Sequence, residues 1–145
     1  MEIQMLRLFA SEAELNQWMI RFVPPMERIG ELRLRVLTDG VSISGRYYSL
    51  IAVTFDMLWH VFVYERKIAA RLERITAAGL GVSWLRTYLL GKIALAAPVI
   101  EIEGETLIFD VDAWLERKGL ALRTNLSAVH CRPGGLIVES ARPEI

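Results

Sequence analysis

Apolar and polar residues change their period several times along the chain, and each change marks an element. Leu15, Trp18, Met19 and Phe22 recur at helical spacing behind Ser11 and Glu14. That pair has the spacing of a capping box, in which two side chains satisfy each other's free amide donors. A helix over residues 11–22 is therefore expected, ended by Pro24-Pro25. From Glu31 the period drops to two: Leu32, Leu34 and Val36 alternate with charged residues. Thr38-Asp39-Gly40 then turns the chain into a second alternating run, Val41 to Arg46. Asp-Gly between two such runs is a hairpin signal.

Residues 50–64 carry the strongest pattern. Ile51, Val53, Phe55, Met57, Trp59, Val61 and Val63 form an unbroken apolar face at strand spacing. The opposite face, from Ala52 to Tyr64, is only intermittently polar, and Leu58 and Phe62 interrupt it. Such a strand exceeds the usual limit of about ten residues, so it must bend or lie across a broad surface. Glu65-Arg66-Lys67 is the turn that follows. Residues 68–75 have helix-forming composition but continue a meander, and a strand is expected there.

Gly79 and Gly81 break the pattern, and Ser83 caps a second helix lined by Trp84, Leu85, Tyr88, Leu89 and Ile93 and closed by Pro98. Val99 to Glu103 and Thr106 to Asp110 form a hairpin in which Ile100, Ile102, Leu107 and Phe109 share a face. A short helix, Val111 to Lys118, stops at Gly119. One strand through Leu122, Leu126 and Ala128 and another from Leu136 to Glu139, joined by Pro133-Gly134-Gly135, complete the chain. Consecutive strands with tight turns and segregated helices imply an α+β fold, a curved antiparallel sheet packed on or wrapped around one or two helices. With 145 residues and no linker or repeat, residues 1–145 read as one domain.

Composition narrows the function classes. Lys+Arg and Asp+Glu both number 17, and the basic residues are dispersed, which argues against nucleic acid as a partner. A hydrophobic fraction of 53% and a mean hydropathy of +0.32 suggest apolar surface spent on a groove or a subunit contact. No uninterrupted apolar run reaches the ~18 residues of a spanning helix, and residues 1–10 lack the apolar core of a signal peptide. The lone Cys131 fits a reducing compartment, so a cytoplasmic protein is expected.

The candidate chemistry is thin. Asp56 and His60 are the best acid–base pair, yet four residues along one strand face is roughly 13 Å, and His60 reads as a core or rim histidine. His130 and Cys131 are adjacent on a strand, so their side chains diverge, and no further ligand completes a zinc site. The carboxylates Glu101, Glu103, Glu105, Asp110, Asp112 and Glu116 do not match a calcium loop and read as a solvated face. Gly79-Leu80-Gly81 lacks the third glycine of a dinucleotide loop. No catalytic set, metal or cofactor is expected.

The helix Ser11-Glu-Ala-Glu-Leu-Asn16, the alternating strands, the central helix and the pair Val99-Ile-Glu-Ile-Glu-Gly104 with Asp110-Val-Asp112 come in an order with a known counterpart. Across about residues 11–140 that order resembles the small bacterial single-domain relatives of the tubular lipid-binding (TULIP) superfamily. The resemblance implies a curved antiparallel sheet wrapped around a helix, with an apolar seam for acyl chains. The expected function is non-enzymatic binding of a lipid or other apolar ligand in a groove between helix and sheet, with room for peripheral contact with a membrane. Trp18, Phe22, Phe55, Trp59, Trp84, Leu89 and Phe109 are the expected lining. The alternative is a self-associating adaptor domain, a homodimer using the same surface, with Leu58 and Phe62 at the contact. A weaker third is an enzyme using Asp56 and His60.

Overall fold

The computed structural model describes residues 5–22, 27–77, 80–81, 83–96, 100–121 and 123–141. Along the chain these form β1 (Met5–Ser11), α1 (Glu12–Phe22), β2 (Ile29–Leu37), β3 (Gly40–Tyr48), β4 (Ala52–Tyr64), β5 (Lys67–Ala77), β6 (Leu80–Gly81), α2 (Ser83–Ala96), β7 (Ile100–Glu103), β8 (Thr106–Phe109), α3 (Val111–Arg117), β9 (Leu126–Arg132) and β10 (Gly135–Ala141). The α+β architecture and the antiparallel meander expected from the sequence are present. The expected stops at Pro24-Pro25, Gly79 and Pro98, the strand start at Val99, and Leu122 lie outside the described residues, as do the side chains of Phe22 and Ile93.

The strands divide into two antiparallel sheets. A seven-stranded sheet runs β2-β3-β4-β5-β8-β7, with β6 attached to β5, and a three-stranded sheet runs β1-β10-β9. The segment 68–75 lies within β5, where pairing with both β4 and β8 overrides its helical propensity. The hairpin face is as expected, since Ile100 pairs with Phe109 and Ile102 with Leu107. Two things differ from the sequence reading. A strand, β1, precedes α1, and it has no local signal because its partner β10 lies at the other end of the chain. The sheet is also not continuous, because β9 and β10 join β1 instead of extending the meander.

Alternation on β4 puts the core on one face of the large sheet. Phe55, Met57 and Trp59 are buried together with Val41, Leu72, Ile75 and Ala77, and α2 adds Leu85 and Leu89. Cys131 of β9 and Leu136 of β10 pack against the same cluster and bring the small sheet onto it. Gly45 is required where Phe55 crosses β3, since a Cβ there would lie 2.7 Å from the Phe55 ring. The register between the long β4 and β5 shifts at Leu58/Trp59, where Glu73 of β5 is the extra, unpaired residue. It is returned by Glu65-Arg66, both at positive φ (48° and 63°). This is the twist-matching turn geometry, adopted without the usual Asn-Gly. Arg66 Nη1 donates to Asn125 Oδ1 at 3.1 Å and ties that turn to the chain leading into β9.

Helix α1 closes an edge. Its capping box forms as the sequence implies, with Glu14 N–H donating to Ser11 Oγ at 3.2 Å and Ser11 N–H to Glu14 Oε1 at 3.3 Å. Two other polar residues turn toward β2, the edge strand of the large sheet. Asn16 Nδ2 donates to Leu34 O at 2.8 Å, Leu34 N–H donates to Asn16 Oδ1 at 2.7 Å, and Val36 N–H donates to Glu12 Oε1 at 3.0 Å. The helix thus supplies the bonds a neighbouring strand would make, and covers an otherwise open edge.

Candidate functional site: an apolar end of the large sheet

The β3–β4 turn projects from one end of the large sheet. Ser49 Oγ donates to Ile51 O at 3.1 Å, which organises the turn and leaves its two aliphatic side chains outward. Leu50 has a relative exposure of 105% and Ile51 of 74%, the latter leaving the buried face it was expected to join. Tyr48, at the end of β3, and Trp84, on the opposite face of the sheet, are exposed at 41% and 54%. Trp84 stands on the first turn of α2, edge-on to Tyr47 at 5.1 Å, and Tyr88 meets the same Tyr47 ring at 5.9 Å. Tyr88 Oη donates to Glu27 O at 2.5 Å, and Tyr48 N–H donates to Arg28 O at 2.7 Å. The aromatic group is therefore held in place by the segment entering β2. Tyr47 and Tyr88 rest in turn on the core cluster. Apolar contact runs unbroken from the exposed Trp84 inward to Phe55 and Leu89.

Cations lie near this end. The Tyr47 hydroxyl contact holds Arg28 more firmly in its charged form, Arg46 pairs with Glu31 at 3.3 Å, and Lys92 Nζ stands 5.6 Å from the Tyr88 ring centre. Helix α1 also points this way, because Glu12 meets Val36 while Asn16 meets Leu34 nearer the start of β2. Its last turns carry the exposed Ile20 and Trp18 (76% and 46%).

The expected lining residues separate into groups. Phe55, Trp59 and Leu89 belong to the buried cluster, at 0%, 3% and 1% exposure. The Trp59 indole N–H is buried with no hydrogen-bond partner among the described residues. Trp84 joins the exposed aromatic group, Trp18 is on the outside of α1, and Phe109 stacks obliquely on Trp114 at 6.4 Å. The sequence reading passed over Tyr47, Tyr48, Leu50 and the exposure of Ile51. A pair of aliphatic residues next to Ser49 at a strand junction was the available signal.

Several of the polar candidates are engaged elsewhere. His60 is exposed and stacks on Phe62 at 5.5 Å, on the same strand face as Asp56. Across the strand, a hydrogen bond from Arg71 at 2.8 Å holds the Glu73 carboxyl below the ordinary carboxylate range. His130 and Cys131 do diverge. The first faces Glu139 at 3.8 Å, whereas the thiol packs on the core, where burial and then Asp39 raise its pKa. Asp110 caps α3 through Ala113 N–H, Asp112 accepts from Thr124 Oγ1 at 2.6 Å, and Glu105 pairs with Arg86. Among the described residues no three His, Cys, Asp or Glu side chains converge on a common point for a metal. Among them, too, no helix is long and apolar enough to cross a membrane.

The chain matches no protein-family model, no curated protein and no solved structure.

Proposed function

We propose that this chain is a non-enzymatic module that binds an acyl-chain lipid or a similar apolar molecule. One observation carries the reading: exposed apolar surface is concentrated at the end formed by Tyr48, Leu50, Ile51 and Trp84. It also continues through Tyr47 and Tyr88 into the core. Exposed side chains of this kind, scattered singly, need no explanation, but their gathering around one turn, with Tyr48 on one face of the sheet and Trp84 on the other, calls for a partner. Burial of the four contributes at about 25 cal/mol per Å², with the aromatic rings as rigid contact area. The order of elements, which resembles the tubular lipid-binding superfamily, supports the same ligand class.

Self-association is the second reading, and a separate observation favours it. Strand β1 is an edge of the small sheet and carries Leu8 and Phe9, exposed at 56% and 60%. An edge strand with outward apolar residues invites pairing with a second copy.

Native mass spectrometry followed by solvent extraction separates the two. The lipid reading expects a stoichiometric acyl-chain compound in the extract. A bare polypeptide at twice the monomer mass, with an empty extract, would replace it with the assembly reading.

A further inference from the structure

We propose that the end formed by the β3–β4 turn is a docking surface for a lipid bilayer with anionic headgroups. Leu50 and Ile51 enter the hydrocarbon boundary, and Tyr48 and Trp84 lie at the level of the headgroups. This rests on the lipid reading above and goes further in naming the site and the form of the ligand, a surface and not an enclosed molecule.

Shape is the first argument. Leu50, the most exposed aliphatic side chain among the described residues, and Ile51 sit side by side at the apex of the β3–β4 turn. A convex apex fits a fluid, deformable partner better than a preformed groove, and the Ile51 carbonyl at that apex is already bonded by Ser49 Oγ.

Layering is the second. The aliphatic apex is followed by Tyr48 and Trp84, then by Arg28, Arg46 and Lys92. Tyr and Trp favour the membrane–water interface because an amphipathic ring is content with one side apolar and one side wet. Of the basic side chains behind them, Arg28 and Lys92 attract anionic headgroups, while Arg46 is paired. Glu27 and Glu31 are the acidic groups at the same end, and Arg46 already answers Glu31.

Area is the third. Tyr48, Leu50, Ile51 and Trp84 offer on the order of 500 Å² of apolar surface. A stable protein contact needs roughly 800 Å² from each partner. The patch is thus small for a second copy but sufficient for reversible attachment to a bilayer.

The test is co-sedimentation of the full chain with vesicles of phosphatidylcholine, alone and mixed with phosphatidylserine. The Leu50→Ser/Ile51→Ser double variant is compared with Leu120→Ser, an exposed apolar residue beyond α3, and all three proteins are matched for melting temperature. The wild type is expected to bind the mixed vesicles more tightly than the neutral ones. The double variant should lose about 30-fold in partition coefficient, which is about 2 kcal/mol at about 1.4 kcal/mol per tenfold, while Leu120→Ser keeps wild-type binding. Equal binding by the double variant overturns the site. Binding to no vesicle, with an acyl compound still released on extraction, overturns the bilayer inference and leaves the lipid reading standing. An empty extract with no vesicle binding removes both. A dimer lost in the double variant assigns the apex to a second copy and overturns the proposal.

Discussion

Asn16→Ala should open the β2 edge and leave the core intact. In the wild type the Asn16 amide bonds both the N–H and the C=O of Leu34, at 2.7 and 2.8 Å, so one side chain satisfies a whole edge residue. A part-buried neutral hydrogen bond contributes about 1 kcal/mol net, which puts the two near 2 kcal/mol. Alanine returns roughly 0.5 kcal/mol of helix propensity, and the expected net loss is about 1.5 kcal/mol. For a chain of this size that lowers the melting temperature by ~3–6 °C. Urea denaturation gives the stability change, and amide exchange gives its location. The Leu34 amide should lose protection, whereas Val36, whose N–H still donates to Glu12 Oε1 at 3.0 Å, should keep most of its own. An unchanged urea midpoint together with unchanged exchange at Leu34 would refute the idea that α1 stands in for a strand.

Two neighbouring residues on α2 should respond oppositely. Leu85→Ala, at a side chain with 0% exposure, is expected to cost about 3 kcal/mol by thermal or urea unfolding. Trp84→Ala should cost about 1 kcal/mol, because the indole is 54% exposed and its edge contact with Tyr47 is the main loss. Equal losses would put α2 in a different rotation. Cys131 should be a poor nucleophile: burial first, and the negative charge of Asp39 second, raise its pKa and reduce the thiolate present at a given pH. Its alkylation should be slower than that of free cysteine at neutral pH and should still be rising above pH ~8.5. A rate equal to that of free cysteine would contradict the packing of this thiol on the core.

Periodicity by itself determined a good part of this molecule. Ser11 and Glu14 announced the start of α1, Asp39-Gly40 the β2–β3 hairpin, and the alternation from Val53 to Val63 the buried face of β4. Each of these signals acts between residues close in sequence, so a local pattern carries it. The same pattern marked Phe55, Trp59 and Leu89 as apolar and large, but it could not say whether such residues meet one another or a ligand, since both uses select the same side chains. Tertiary structure decided the rest. Pairing of β1 with β10 depends on a partner at the opposite end of the chain, and the strand reading of residues 68–75 prevails because β4 and β8 flank it on both sides. Glu65-Arg66 takes up positive φ because the twist of the two long strands demands it, against the preference of either residue. The exposed end shows the division most clearly. Leu50 and Ile51 look like the first residues of a core strand, and only the place where β3 stops pairing with β4 turns them outward, at an apex that no described element covers.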